Sequence, residues 1–98
     1  VNFVLSGKDE RQVEREALAF AEALERETRA GSIGASQLGP APCPMYYLRG
    51  VFRRHLFVKT KQIVRLVRRL AAWEAREPRF GVPAAVKLVV DVDPDDMM

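Results

Sequence analysis

Apolar positions along the chain follow two rhythms, a period near two and a period near 3.6, and the changes between them mark the elements. The opening Val1-Asn2-Phe3-Val4-Leu5-Ser6 alternates as a short strand that Gly7 closes. Over 9–29, Val13, Ala17, Phe20, Ala21 and Leu24 fall at spacings of four, three, one and three, the stripe of an amphipathic helix. Ser6 or Asp9 is placed to cap it, and Glu10, Arg11, Glu14 and Arg15 take its outer face. Acids early in the helix suit the positive end of its dipole. Gly31-Ser32-Ile33-Gly34 breaks the pattern.

From Ser36 to Lys59 the chain reads as two extended segments. Pro40, Pro42 and Pro44 forbid a helix and a regular central ladder, so the first segment is expected at a sheet edge. Alternation over 48–59 sets Leu48, Gly50, Phe52, Arg54, Leu56 and Val58 on one side and Arg49, Val51, Arg53, His55, Phe57 and Lys59 on the other. Arg54 interrupts the apolar side, which predicts a bulge near Arg53 or a place at the sheet rim. The helical period returns over 62–77 through Ile63, Leu66, Val67, Leu70 and Trp73, and Pro78 ends it. Residues 86–92 give a last strand. The order β-α-β-β-α-β favours an α+β two-layer sandwich of the split βαβ kind, a four-stranded sheet with two helices on one face.

At 98 residues the chain is expected to form a single domain, residues 1–98, around one core. It opens without Met and directly in an apolar segment, as expected of a domain cut from a longer protein. The one cysteine, Cys43, excludes an internal disulfide and a Cys-based zinc site and points to a reducing compartment. No apolar run has membrane-spanning length, and the first residues lack the basic flank of a signal peptide.

Charge changes the picture more than composition does. Residues 31–73 contain no Asp or Glu but eight cations, Arg49, Arg53, Arg54, Lys59, Lys61, Arg65, Arg68 and Arg69, whereas both flanks are acidic on balance. The net charge of +3 hides this separation, and local positive potential is what a phosphate chain or an acidic segment requires. Arg49, Arg53, His55 and Lys59 are placed to track phosphates, with Phe57 or His55 offering a face to a base. With Arg54 from the same strand they form the candidate DNA-binding set. The alternative is a solvated sheet face whose charges only prevent edge pairing. Lys61, Arg65, Arg68 and Arg69 on the last helix suit phosphate or an acidic tail, or merely solvation, with Glu74 and Glu77 available to pair near the helix end.

Trp73 lies on the apolar stripe and is expected in the core, as are Phe3, Phe20, Phe52 and Phe80, while Tyr46 and Tyr47 face either solvent or a neighbouring domain. His55 has no second ligand at metal spacing, and Asp91, Asp93, Asp95 and Asp96 lack the Gly and distal Glu of a calcium loop, so no metal site is expected. Arg49-Gly50-Val51-Phe52 only weakly echoes an RNA-recognition signature, because Val51 stands where an aromatic is needed. No phosphate-binding loop, nucleophile elbow or Cys–His pair supports catalysis by this chain.

Leu38-Gly39-Pro40-Ala41-Pro42-Cys43-Pro44, followed by Leu48-Arg49-Gly50-Val51-Phe52-Arg53-Arg54-His55-Leu56-Phe57-Val58-Lys59, resembles the segment "LGPAPAP…LRGRYRWxLLLK" of the bacterial replication-restart helicase PriA (primosomal protein N′) family. Val90-Asp91-Val92-Asp93-Pro94 resembles that family's "DVDP" ending, and Leu5-Ser6-Gly7-Lys8-Asp9 with the helix after it is also similar. The resemblance implies a C-terminal domain that helps to hold branched or single-stranded DNA beside a helicase core. It also implies partners: the acidic, Phe-ended tail of single-stranded DNA-binding protein (SSB), other primosome proteins and the rest of the parent helicase. No cofactor is implied for this chain, since ATP, Mg and zinc belong to other domains of the parent. The implied setting is the bacterial cytoplasm, at the nucleoid, with no membrane partner. Departures fall at Val51 and Arg54, where relatives carry Arg and Trp, and Ile63 and Val67 stand where some relatives carry an Arg and a Gln that touch the SSB tail.

Overall fold

The computed structural model describes residues 1–92, with residues 42–48 described by their backbone alone. Four strands and two helices follow in the expected order: β1 (Asn2–Gly7), α1 (Glu10–Ala30), β2 (Ala35–Leu48), β3 (Val51–Thr60), α2 (Ile63–Arg76) and β4 (Lys87–Asp91). The strands form one sheet in the order β2-β3-β1-β4, and every neighbouring pair is antiparallel. β3 thus lies between β1 and β2, and β1 lies between β3 and β4, which is the split βαβ arrangement.

The alternation in β1 decides which face is covered. Val1, Phe3 and Leu5 are fully buried, and their cross-strand neighbours Leu56 and Val58 on β3 are buried with them. α1 places Val13, Ala17, Phe20, Ala21 and Leu24 against that layer, and α2 adds Ile63, Leu66, Leu70 and Trp73. Phe20 is the junction: its ring lies 5.0 Å from Phe3, is stacked on Trp73 at 5.5 Å and meets the edge of Phe80 at 5.8 Å. Such aromatic contacts add roughly 0.5–1.5 kcal/mol each to what area burial supplies. Trp73 is therefore core, and its indole N–H donates to Glu77 at 2.9 Å. Phe80 is half-buried, with Arg79, Phe80 and Gly81 in the left-handed region, a turn that swings its ring to within 4.8 Å of Trp73. Phe52 is only half-buried, since it lies near the hairpin end of β3 opposite Gly7.

Asp9 is the residue that caps α1. Its carboxylate accepts from the backbone N–H groups of Arg11 and Gln12 at 3.0 and 3.3 Å, meeting two of the orphan donors at a helix start. Gly31 N–H closes the other end on Glu27 O, and Ser32 turns the chain with a positive φ of 54°. Thr60 then donates to Gly34 O, and Gln62 Oε1 accepts from Gly34 N–H, so the start of β2 is tied to the link between β3 and α2.

The proline-rich strand β2 lies at the edge, as its sequence requires, and carries the sheet's irregularities. Its register against β3 shifts between Leu38 and Ala41 and again between Pro42 and Tyr47, whereas β3 runs without a shift against β1 from Phe52 to Phe57. The bulge expected near Arg53 is thus in the partner strand, not in β3. Gly39 permits the first shift: it has a φ of 105°, and a Cβ there would stand 2.8 Å from the His55 carbonyl oxygen. The hairpin closes through Arg49 and Gly50, with φ of 55° and 77° between the paired Leu48 and Val51. Positive φ at both central residues fits a type I′ turn, in which Asn-Gly is the preferred pair and Arg an uncommon first member. Replacing Arg49 by Asn is expected to raise stability by on the order of 1 kcal/mol, read as a higher midpoint in heat or urea unfolding. A lower midpoint would mean that the side chain of Arg49 contributes more than its backbone costs.

Candidate nucleic-acid interface

One face of the sheet carries both helices; among the described residues nothing packs on the other. Direct partners in antiparallel strands share a face, so the register lays out this open face row by row. One row runs Leu38, Phe57, Asn2, Asp91; the next Ala41, His55, Val4, Val89; a third Arg53, Ser6, Lys87. Lys59 follows at the far end of β3 beside Ser36. Four of the expected site residues, Arg53, His55, Phe57 and Lys59, therefore line one strand of one surface. Arg53, His55 and Phe57 are half-buried and Lys59 is exposed.

Two expected members stand elsewhere. Arg49 occupies the hairpin turn instead of the strand, where it is exposed beyond the last pair of the ladder. Arg54 lies on the helix side of β3, because the strand keeps strict alternation, and is 8% exposed. Its guanidinium is 3.5 Å from the Glu10 carboxylate and donates to the Arg53 carbonyl oxygen at 3.2 Å. It also borders a cavity of about 120 Å³ with Glu14, Ala17, Leu18 and Pro40. A buried guanidinium with an acidic neighbour and a carbonyl acceptor serves the packing of α1 on the sheet, not a ligand on the opposite face.

Lys87 is the residue that charge-block reasoning misses. It belongs to the acidic C-terminal segment in sequence, yet β4 sets it in the row of Ser6 and Arg53 on the open face. Its place on alternate positions of a strand with the exposed Val89 was the available signal. Asp91 is the acid that the described strands bring to this face, at the end remote from Arg53 and Lys87.

The cations of α2 separate by their partners. Arg65 donates to Gly31 O at 2.7 Å, satisfying a carbonyl in the turn after α1. Arg69 and Arg76 converge on one oxygen of Glu27, at 3.0 and 2.6 Å, and tie the two helices together. Glu27, not Glu74 or Glu77, is thus the acid that answers the Arg-rich stretch; Glu77 is engaged with Trp73. Lys61 and Arg68 are exposed. Arg65, Arg68 and Arg69 nevertheless share a shallow depression of about 350 Å³ with Gly31, Ile33 and Ala72. Ile63 is buried, whereas Val67, expected on the buried stripe, is 41% exposed beside the exposed Val64.

The side chains of Tyr46 and Tyr47, and Asp93, Asp95 and Asp96, lie outside the described residues. No described helix is long and apolar enough to cross a membrane. The family model described as the primosomal protein N C-terminal domain matches residues 1–95, and the chain belongs to that family. No curated protein matches it significantly.

The fork on Glu27 is open to measurement. Glu27→Gln leaves Arg69 and Arg76 facing each other without their shared carboxylate, and stability is expected to fall by about 1 kcal/mol. The urea midpoint should drop more at low than at high salt, and an unchanged midpoint would mean that the fork adds nothing to the packing of the helices.

Proposed function

Starting from a small, non-catalytic C-terminal domain of a primosomal, replication-restart protein whose helicase activity lies in other parts of the parent, we propose that its open sheet face holds DNA at a stalled fork. The observation that supports this most is the set Arg53, Lys59 and Lys87 on a sheet face that no described element covers, where Asp91 lies two strands from β3, remote from Arg53 and Lys87 and one row from Lys59. Arg53 and Lys59 are six residues apart on β3, a reach of about 20 Å along the strand. Exposed Arg49 at the hairpin tip extends the same line. Such an array suits the backbone of DNA, whose phosphates carry charge but no sequence information. The expected binding is therefore indifferent to sequence, and the domain works in the cytoplasm with the rest of its parent and other primosome proteins.

Charge would supply the affinity. Each phosphate neutralised contributes a log–log salt slope of about −0.7 to −0.9. Titration of forked and single-stranded DNA at low and high salt is expected to show a steep loss of affinity. The double variant Arg53→Ala, Lys59→Ala should weaken binding and make the slope shallower by about 1.4 to 1.8. Equal affinities at both salt concentrations would refute the phosphate reading.

The depression on α2 favours a second, separate surface. Arg65 and Arg69 are held in place by Gly31 and Glu27, Arg68 projects beside them, and Ile33 and Ala72 give an apolar floor. A guanidinium held by one hydrogen bond retains further N–H donors for a carboxylate. This suits the acidic, Phe-ended tail of SSB. Arg68→Glu is expected to reduce binding of such a peptide about ten-fold or more while leaving forked-DNA affinity within two-fold. Equal losses for both ligands would merge the two surfaces into one.

A further inference from the structure

Resting on the reading of the open face as a DNA surface, we propose that this face is specific for unpaired DNA, with Phe57 stacking on an exposed base and the Asn2 amide holding that base's edge. Val1 and Val58 exchange both backbone hydrogen bonds, Val1 N to Val58 O at 2.9 Å and Val58 N to Val1 O at 2.8 Å. The next pair, Asn2 and Phe57, is therefore a non-hydrogen-bonded pair, the kind in which opposed side chains stand closest. An aromatic ring and an amide are thus set side by side on the two central strands.

Both side chains are unspent by the fold. Phe57 stands on the face opposite the Phe3–Phe20–Trp73–Phe80 cluster, half-buried, with Leu38 beside it 60% exposed. The Asn2 Oδ1 atom is out of contact with solvent and has no hydrogen-bond partner. An acceptor in that condition is destabilising, and a ligand donor that reached it would remove the cost. A turn of the amide about its terminal torsion on binding would bring that oxygen to a ligand donor. An amide that can accept or donate suits more than one base, in keeping with sequence-tolerant holding.

The remaining rows supply the grip. One step along β3 from Phe57, at about 7 Å for two residues, stands Lys59; one step the other way stands His55, then Arg53 with Ser6 and Lys87 beside it. A strand laid along β3 meets a cation on each side of the ring. A duplex cannot use this site, because its bases are stacked on one another and their flat faces are hidden.

The test compares three probes at fixed low salt by fluorescence anisotropy: a short single-stranded oligonucleotide, the same strand with abasic sites, and a duplex of equal length. The intact chain is expected to bind the base-bearing strand about ten-fold or more tighter than the abasic strand. Phe57→Leu should erase that preference without changing affinity for the abasic strand or the duplex, and Phe57→Tyr should keep it. Asn2→Ala should weaken only the base-bearing strand. Equal binding of base-bearing and abasic strands, or a Phe57→Leu variant that keeps the preference, overturns the stacking site while the phosphate reading stands. Failure of all three probes to bind overturns both.

Discussion

Complete burial of Val1, Phe3 and Leu5 on one side of β1 is the constraint on which the rest of the domain depends. A strand with a period of two and one side fully buried has one permissible register, since a slip of one residue would expose all three side chains and bury Asn2, Val4 and Ser6. β3 and β4 must match that register, and the match turns Leu56 and Val58 inward and Phe57, His55, Arg53 and Lys87 outward. The candidate surface is the reverse side of the core. Its residues are aligned by the burial of their neighbours, not by contacts among themselves.

Charge is sorted by the same geometry. Of the eight cations in the acid-free block, Arg54 is drawn to Glu10 beneath α1, Arg69 to Glu27, and Arg65 to the Gly31 carbonyl oxygen. These side chains hold elements together. Arg53 and Lys59 stand on the open face, Arg49 on the hairpin and Lys61 and Arg68 near α2. A block that looks uniform along the chain thus divides into cations that also hold elements together and cations that do not, and only Arg54 and Arg69 of the eight have a carboxylate partner among the described residues to offset their charge.

Much of this was legible in the residues. Periodicity located β1, β3 and both helices, the prolines made β2 extended and placed it at the edge, and the strict alternation of β3 already set Arg54 opposite Arg53. What was not legible depends on partners distant in sequence or on rare backbone states. Glu27 meets Arg69 and Arg76 only after the helices dock, so local spacing favoured Glu74 and Glu77 instead. Arg49 enters a left-handed conformation that Arg seldom adopts, which hid the turn within an apparent strand. Lys87 lies far from the basic block and reaches it across the sheet through β1. The exposed Val67 belongs to a helix whose buried stripe is narrower than its apolar content.

The position of β1 also constrains how the domain is reached from the unfolded chain. Asn2 pairs with Phe57 on one side and with Asp91 on the other, so the central strand makes no sheet contact with anything near it in sequence. Helix α1 and the β2–β3 hairpin are local and can form early, whereas β1 must wait for residues 52–57 and then 87–91. Closing such long loops costs chain entropy before any burial rewards it. A nascent chain in which β4 has not yet emerged leaves one edge of β1 unpaired, an edge able to capture another extended strand. Strand β4 therefore guards the domain against aggregation as well as completing its sheet.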